Sequence, residues 1–444
     1  MKAINPRHKL LATLLFVFNI AVIAVFNAES LLSLGYTYVL FLLFNRLVTD
    51  KKLWHYNFYA FQVLLFIVLG IYIINLSVWP EFLGLTPNIE GVGADDAKFY
   101  AGVTDIAHNL PSSAAYYTYW RITHIFPIFL KVLYPFPIYH PLTILIPNTL
   151  GLAFIPYFTY KVALNASNQE KVAKLAFALV LFCPMLIING AILVRDGWTA
   201  FFTIASIYYA QEKKIAPYLI AIFLLSYLRM STGLVILVGS LFLWKNALFV
   251  NKKNAWRFTG LILVFIISLS FVYPIFLDYL QTKNISFGRD HFVESFIGKD
   301  QSSTTYKLYT LPMYLRIPAS FIFFFSYPYL SLASITSDAF NIRGVLAGMI
   351  MPLLFIVYFR HIISGIVYSF VQRNKNEIRS LVIILVIFIG AISMISLQLR
   401  HRTAIMPFYY ILIAYGFYNN NLKTRQIGVF YVGFYILIQL VFLF

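Results

Sequence analysis

Apolar runs of about 20 residues, the helical length that crosses a bilayer's hydrocarbon core, recur from one end of this chain to the other. No stretch of soluble-domain composition separates them. Of 444 residues, 61% are hydrophobic and only 11% are charged, which is more apolar surface than a water-soluble domain could bury. In lipid, each backbone polar group must be satisfied without water, which leaves helices or a closed barrel. The short alternating segments of a barrel are absent from the sequence. The expected fold class is an all-α polytopic integral membrane protein, with one transmembrane domain over residues 1–444.

Candidate spans fall near 8–27, 30–48, 58–79, 141–160, 172–191, 198–211, 215–230, 231–247, 258–277, 342–360, 379–398, 403–418 and 426–444. The first follows Lys2, Arg7 and Lys9 as a signal peptide would. Phe26-Asn-Ala-Glu29 offers no small-x-small cleavage site, so this run reads as a retained span. The single cysteine, Cys183, lies inside an apolar run; it excludes an internal disulfide and reads as core packing.

The net charge of +18 does not point to nucleic acid. The Lys and Arg residues are scattered through short loops at span ends, the pattern of the positive-inside bias and of anionic headgroups. With Lys2, Arg7 and Lys9 inside, the basic groups near 46–52, 161–174, 213–214, 245–257, 360–379 and 423–425 can all lie inside on one condition: the stretches 119–139 and 312–335 must not cross. Both carry prolines and charges, and both read as interfacial or re-entrant helices. The expected count is about 13 transmembrane helices, with two long outer loops at 80–140 and 278–335. The expected location is the cytoplasmic (inner) membrane, multi-pass, with an active site facing outward and membrane lipids as neighbours.

That topology gathers the charged motifs on the outer face. Only 16 residues are Asp or Glu, and three of them, Asp95, Asp96 and Asp105, fall within eleven positions of the first outer loop. Asp95 and Asp96 introduce a run that reads as a short helix stopped by Pro111, so helix capping accounts for one of them. The alternative is a general base or a cation ligand, because two adjacent carboxylates repel and one can hold a proton or share a metal. The residues leave open whether Mg2+ or Mn2+ binds Asp95 and Asp96; no other cofactor is implied. Tyr100 could stack on a sugar ring.

Arg400-His401-Arg402 lies between two late spans on the side where cations are disfavoured. Snorkelling anchors would explain it, and so would a bound phosphate, which suits the forked, permanently charged guanidinium. Arg195-Asp196 reads equally as a local ion pair at a span boundary or as an arginine held toward a ligand. Arg229 interrupts an apolar helix pair, and an intramembrane arginine is a functional-site hypothesis by default. No phosphate-cradling glycine loop or dinucleotide fingerprint occurs.

Gly93-Ala-Asp95-Asp96-Ala-Lys-Phe-Tyr100 resembles the acidic outer-loop motif of the GT-C class of membrane glycosyltransferases. Leu399-Arg400-His401-Arg402-Thr-Ala-Ile-Met-Pro407 is similar to their late Arg-rich segment. Val194-Arg195-Asp196-Gly-Trp198, followed by Leu228-Arg229, also resembles Wzy-type polysaccharide polymerases. The resemblance covers about residues 85 to 418. It departs in one respect: the acidic loop here follows the third span rather than the first. It implies transfer of a sugar from a polyprenyl-phosphate-linked donor to a glycan or lipid acceptor, probable inversion at the anomeric carbon being the simplest outcome. Asp95 or Asp96 would serve as base, with Arg400, His401, Arg402, Arg195 and Arg229 on the lipid phosphate. The rivals are a repeat-unit polymerase and a lipid-linked oligosaccharide transporter; no internal repeat of the transporter kind is evident.

Overall fold

A computed structural model describes residues 6–85, 96–108, 120–250, 308, 310–326, 342–371, 376–395, 399–419 and 422–443; all regular elements among them are helices, with no strand. The chain opens with α1 (Pro6–Phe26), α2 (Ser30–Val48) and α3 (Trp54–Val78). Asn27 Oδ1 accepts from the Ser30 N–H at 2.9 Å and its hydroxyl at 2.8 Å, which satisfies the start of α2 and sets the first reversal. Asn19 and Tyr38 both donate to Gln62 Oε1, at 3.2 and 2.8 Å, and so join the three helices inside an apolar sheath. The outer-loop helices α4 (Asp96–His108) and α5 (Trp120–Leu133) follow. Then comes a run in three pieces, α6 (Pro141–Asn148), α7 (Leu150–Ala153) and α8 (Ile155–Ser167).

The centre of the fold is a set of three helical hairpins. The first comprises α9 (Glu170–Leu181), α10 (Pro184–Gly190) and α11 (Asp196–Gln211); the second is α12 (Ile215–Leu228) with α13 (Met230–Val250). After α14 (Met313–Ser326) and α15 (Met351–Val371), the third pairs α16 (Asn376–Ile395) with α17 (Met406–Tyr418) through a 3-10 turn over Leu399–Ile405. A last helix, α18 (Leu422–Leu443), packs on α15, with the Phe359 and Tyr435 rings stacked at 4.7 Å.

One end of the bundle is rich in lysine. Lys161 pairs with Asp50 at 2.9 Å and Lys174 with Glu170 at 2.9 Å. Asn165 donates to Glu212 at 2.8 Å, and Gln169 donates to Asn419 at 2.7 Å. The end of α2, the start of α9, both ends of the α11–α12 turn and the end of α17 therefore share this level. At the far end, the Ser33 hydroxyl donates to the Thr143 carbonyl at 2.5 Å, and His140 Nδ1 caps α6 by accepting from the Leu142 N–H. His108, at the end of α4, hydrogen-bonds the Ile138 carbonyl at 2.9 Å.

The expected tally of about 13 crossings is not confirmed among the described residues. Among the described residues, four stretches are long and apolar enough to cross a bilayer: Ser30–Val48, Lys51–Val78, Pro141–Ser167 and Leu346–Val371. The stretch expected as one span at 172–191 is broken instead: α9 and α10 meet at 46°, at Cys183-Pro184, and count as a fifth only if taken together. Proline at the start of α10 has no N–H to continue the ladder from α9, which accounts for the break. Leu10–Phe26, Ile215–Leu228, Met230–Trp244 and Gln426–Gln439 are apolar but shorter. The expected span at 258–277 and most of the 278–335 loop lie outside the described residues. The outward surface is apolar: Val25 and Leu47 are each 81% exposed and Phe430 74%, a surface suited to lipid contact.

Where α15 crosses α17 the backbones nearly touch. A Cβ on Gly416 would run into the His361 carbonyl, and one on Gly365 into the Leu412 carbonyl. Gly416→Ala is therefore expected to destabilise the protein by about 1–3 kcal/mol through overpacking. Gly35→Ala, in open space, should have little effect beyond the ordinary helix preference for alanine. Thermal unfolding of the two variants in detergent checks this; equal midpoints would refute it.

Candidate functional site

The three hairpins rise from the lysine end and bring charged tips together. The residues at the first tip are Arg195 and Asp196, at the apex between α10 and α11. At the second tip is Arg229, the single extended residue between α12 and α13 (φ −153°, ψ 90°). The hairpin character of α12 and α13 is set by paired contacts on either side of Arg229. Tyr218 and Ser240 hydroxyls lie 2.5 Å apart, and Gly233 packs so closely on Ser226 that a Cβ there would collide with it. Arg400 and His401 lie at the third tip.

Asp196 does not pair with its neighbour Arg195. Its carboxylate meets the Arg229 guanidinium at 2.8 Å, with the two side chains 2% and 6% exposed. Arg195 instead donates through Nη1 to the Leu228 carbonyl at 2.9 Å. The first and second tips are thus joined twice. Of the two readings open for Arg195-Asp196, the local ion pair gives way to a pair with the adjacent hairpin: Asp196 is the first residue of α11, where a carboxylate suits the helix dipole, and reaches Arg229 from there. The Lys161–Asp50, Lys174–Glu170 and Lys214–Glu212 pairs lie at the lysine end and are more exposed than this one.

The third tip joins the first through Asn189, which donates to the Thr403 hydroxyl at 2.8 Å. The charges of Arg229, Arg400 and Arg195 all act on His401.

Arg402 has a different fate from Arg400. It is fully buried, donates through Nη2 to the Phe325 carbonyl at 3.1 Å, and lies over the rings of Tyr409 (4.6 Å) and Phe355 (5.0 Å). Phe325 is in the last turn of α14, where unsatisfied carbonyls and the negative end of the helix dipole favour a cation.

The acidic motif approaches the same tips through an aromatic chain. Asp96 is the first residue of α4 and only 1% exposed; Phe99 and Val103 share its buried face. Phe99 meets Phe126 of α5 edge-on at 5.0 Å, Phe126 stacks near Phe129 at 6.3 Å, and Phe129 meets Trp198 at 5.0 Å. Trp198 stands two residues from Asp196, and its indole N–H donates to Asn148 at 3.0 Å. Tyr100 is half-buried beside Tyr72. Asp95 lies outside the described residues.

The indole bond fixes the depth of the tips. Asn148 is seven residues below Pro141, so α11 begins about 10 Å beneath the far end at 1.5 Å per residue. The 16 residues of α11 then span about 24 Å to the lysine end. The cluster therefore sits within the apolar depth of the bundle, where a charge is costly without a partner.

Sequence reasoning missed Asp196 as a functional residue. It is the sole acid between Glu170 and Glu212, and an arginine at the depth of Arg229 needs a counterion. Among the described residues no group of three or more His, Cys, Asp or Glu is placed to hold a metal ion, and Cys183 is buried and free. Comparison with family models, curated proteins and solved structures finds no match to this chain.

Proposed function

We propose that the chain is a membrane glycosyltransferase that moves a sugar from a polyprenyl-phosphate-linked donor to a glycan or lipid acceptor, with its lysine end in the cytoplasm and its site toward the outer face. The observation that carries this reading is that Arg195, Arg229 and Arg400 all act on His401, on tips where Arg229 pairs with buried Asp196 and Trp198 packs against the helix pair that presents Asp96. Forked guanidinium groups in an apolar surround are suited to a lipid phosphate that arrives from within the membrane plane. In the reaction, the acceptor hydroxyl gives its proton to Asp96 and its oxygen bonds to the anomeric carbon. The bond from that carbon to the phosphate oxygen breaks, and its electron pair leaves with the lipid phosphate. The arginines neutralise the charge that develops there, the usual source of the largest rate gain in such transfers. His401, among these arginines, has ring nitrogens that can hydrogen-bond a phosphate oxygen. A divalent cation on Asp96 and Asp95 is compatible with the same scheme.

The test is reconstitution of the purified chain in liposomes with single sugars on a polyprenyl phosphate, or with oligosaccharides on a polyprenyl diphosphate. Release of lipid phosphate from the first supports the proposal; turnover of the second alone favours a repeat-unit polymerase. A second reading, lipid-linked oligosaccharide transport, draws on the buried Arg229–Asp196 pair, since ion pairs at this depth also occur along transport paths. Movement of labelled lipid-linked glycan across the bilayer with no bond cleavage would favour it and sink the enzyme reading.

A further inference from the structure

The cationic cluster carries its own anion. Asp196 is held 2.8 Å from Arg229 by two independent constraints: its place as first residue of α11, and the Arg195 bond that ties the adjoining tip to Leu228. Both partners are nearly sealed from water, at 2% and 6% exposure, so the attraction between them is weakly screened. From the first and third tips, the charges of Arg195 and Arg400 act on His401, as that of Arg229 does. A phosphate entering this cluster must contend with a carboxylate already on Arg229.

We propose that Asp196 is a built-in counter-anion: it occupies Arg229 when no phosphate is bound, and a lipid phosphate displaces it. The inference rests on the phosphate-site reading above and adds its regulation. Without a counter-anion, three arginines at bilayer depth would bind a product phosphate too tightly to release it. With one, the charge of Arg229 is compensated in both states, by Asp196 when the site is empty and by phosphate when it is full. The carboxylate therefore weakens anion binding and speeds product departure.

The experiment measures inorganic pyrophosphate binding to the full chain in detergent by calorimetry. Asp196→Asn is expected to bind about tenfold more tightly than the natural protein, the range of a close charge pair's coupling. Equal or weaker binding overturns the proposal. Asp196→Asn leaves Arg229 buried without its partner and can fail to fold, so a second variant, Asp196→Leu with Arg229→Met, removes both charges together, a change that buried pairs often tolerate. It retains Arg195, Arg400 and His401 without the competing carboxylate, and is expected to bind within about threefold of the natural protein. Binding weakened more than about tenfold would show Arg229 to be a plain contributor and would overturn the proposal. Arg400→Ala separates the two levels of argument. If it abolishes binding while Asp196→Asn changes nothing, only the counter-anion idea fails. If no variant and not even the natural protein binds pyrophosphate or polyprenyl phosphate, the phosphate-site reading fails with it.

Discussion

Asp96→Asn is expected to lower sugar transfer by about 10²- to 10⁴-fold, the contribution of a positioned general base, with the fold intact. Asparagine keeps the shape of the side chain at a position 1% exposed on the buried face of α4. It keeps an oxygen to accept the hydrogen bonds of the helix start, but it cannot take the acceptor's proton. The melting temperature should therefore move by much less than the rate. The check is single-turnover release of polyprenyl phosphate from a labelled donor at saturating acceptor. A rate within a few-fold of the natural protein would remove Asp96 from the chemistry, and the same measurement on Asp95→Asn would then decide between the neighbours. Loss of both folding and activity would instead assign Asp96 to capping.

The helical class was legible from the sequence because a bilayer imposes its thickness on the length of apolar runs. The ends of α2 fell where they were expected, at 30 and 48, since Asn27 and the Asp50–Lys52 turn mark them chemically. The depth of the central hairpins was not legible. Hydropathy reads the 172–191 run as continuous, whereas Cys183-Pro184 bends it. The turn beside Arg229 is legible, since separate runs at 215–230 and 231–247 meet there. Charge bias puts Arg195, Arg400 and His401 on one side and leaves Arg229 as an intramembrane cation; the partners are set by packing. That Asp196 meets Arg229 is not legible, because sequence neighbours can be weighed and the adjacent helix tip cannot. Asn148, which fixes the depth of α11 through Trp198, gave no signal, since a polar residue in an apolar run has many uses.

Arg400 and Arg402, two residues apart, are expected to fail in opposite ways. Arg402→Ala removes a fully buried side chain that lies over the adjoining rings of Phe355 and Tyr409, and takes away the donor to the Phe325 carbonyl at the α14 C-terminus. A cavity of that kind, with a carbonyl left dry, costs about 3–5 kcal/mol. The variant should aggregate or melt far below the natural protein whether or not substrate is present. Lysine should not rescue it, because an ammonium lacks the planar face that covers two adjoining rings while an N–H donates to Phe325. Arg400 is half-buried at the third tip, next to His401. Arg400→Ala should keep its melting temperature and lose about 10²- to 10³-fold in turnover, the loss typical of one donor removed from a developing oxyanion. Melting curves and single-turnover rates on the two variants make the comparison. If Arg402→Ala folds normally and only loses activity, the buried guanidinium belongs to the substrate after all, and the division between an anchoring arginine and a phosphate-facing one has to be redrawn. If Arg400→Ala retains full activity, the cluster is a structural knot of charges and the lipid phosphate must be held elsewhere.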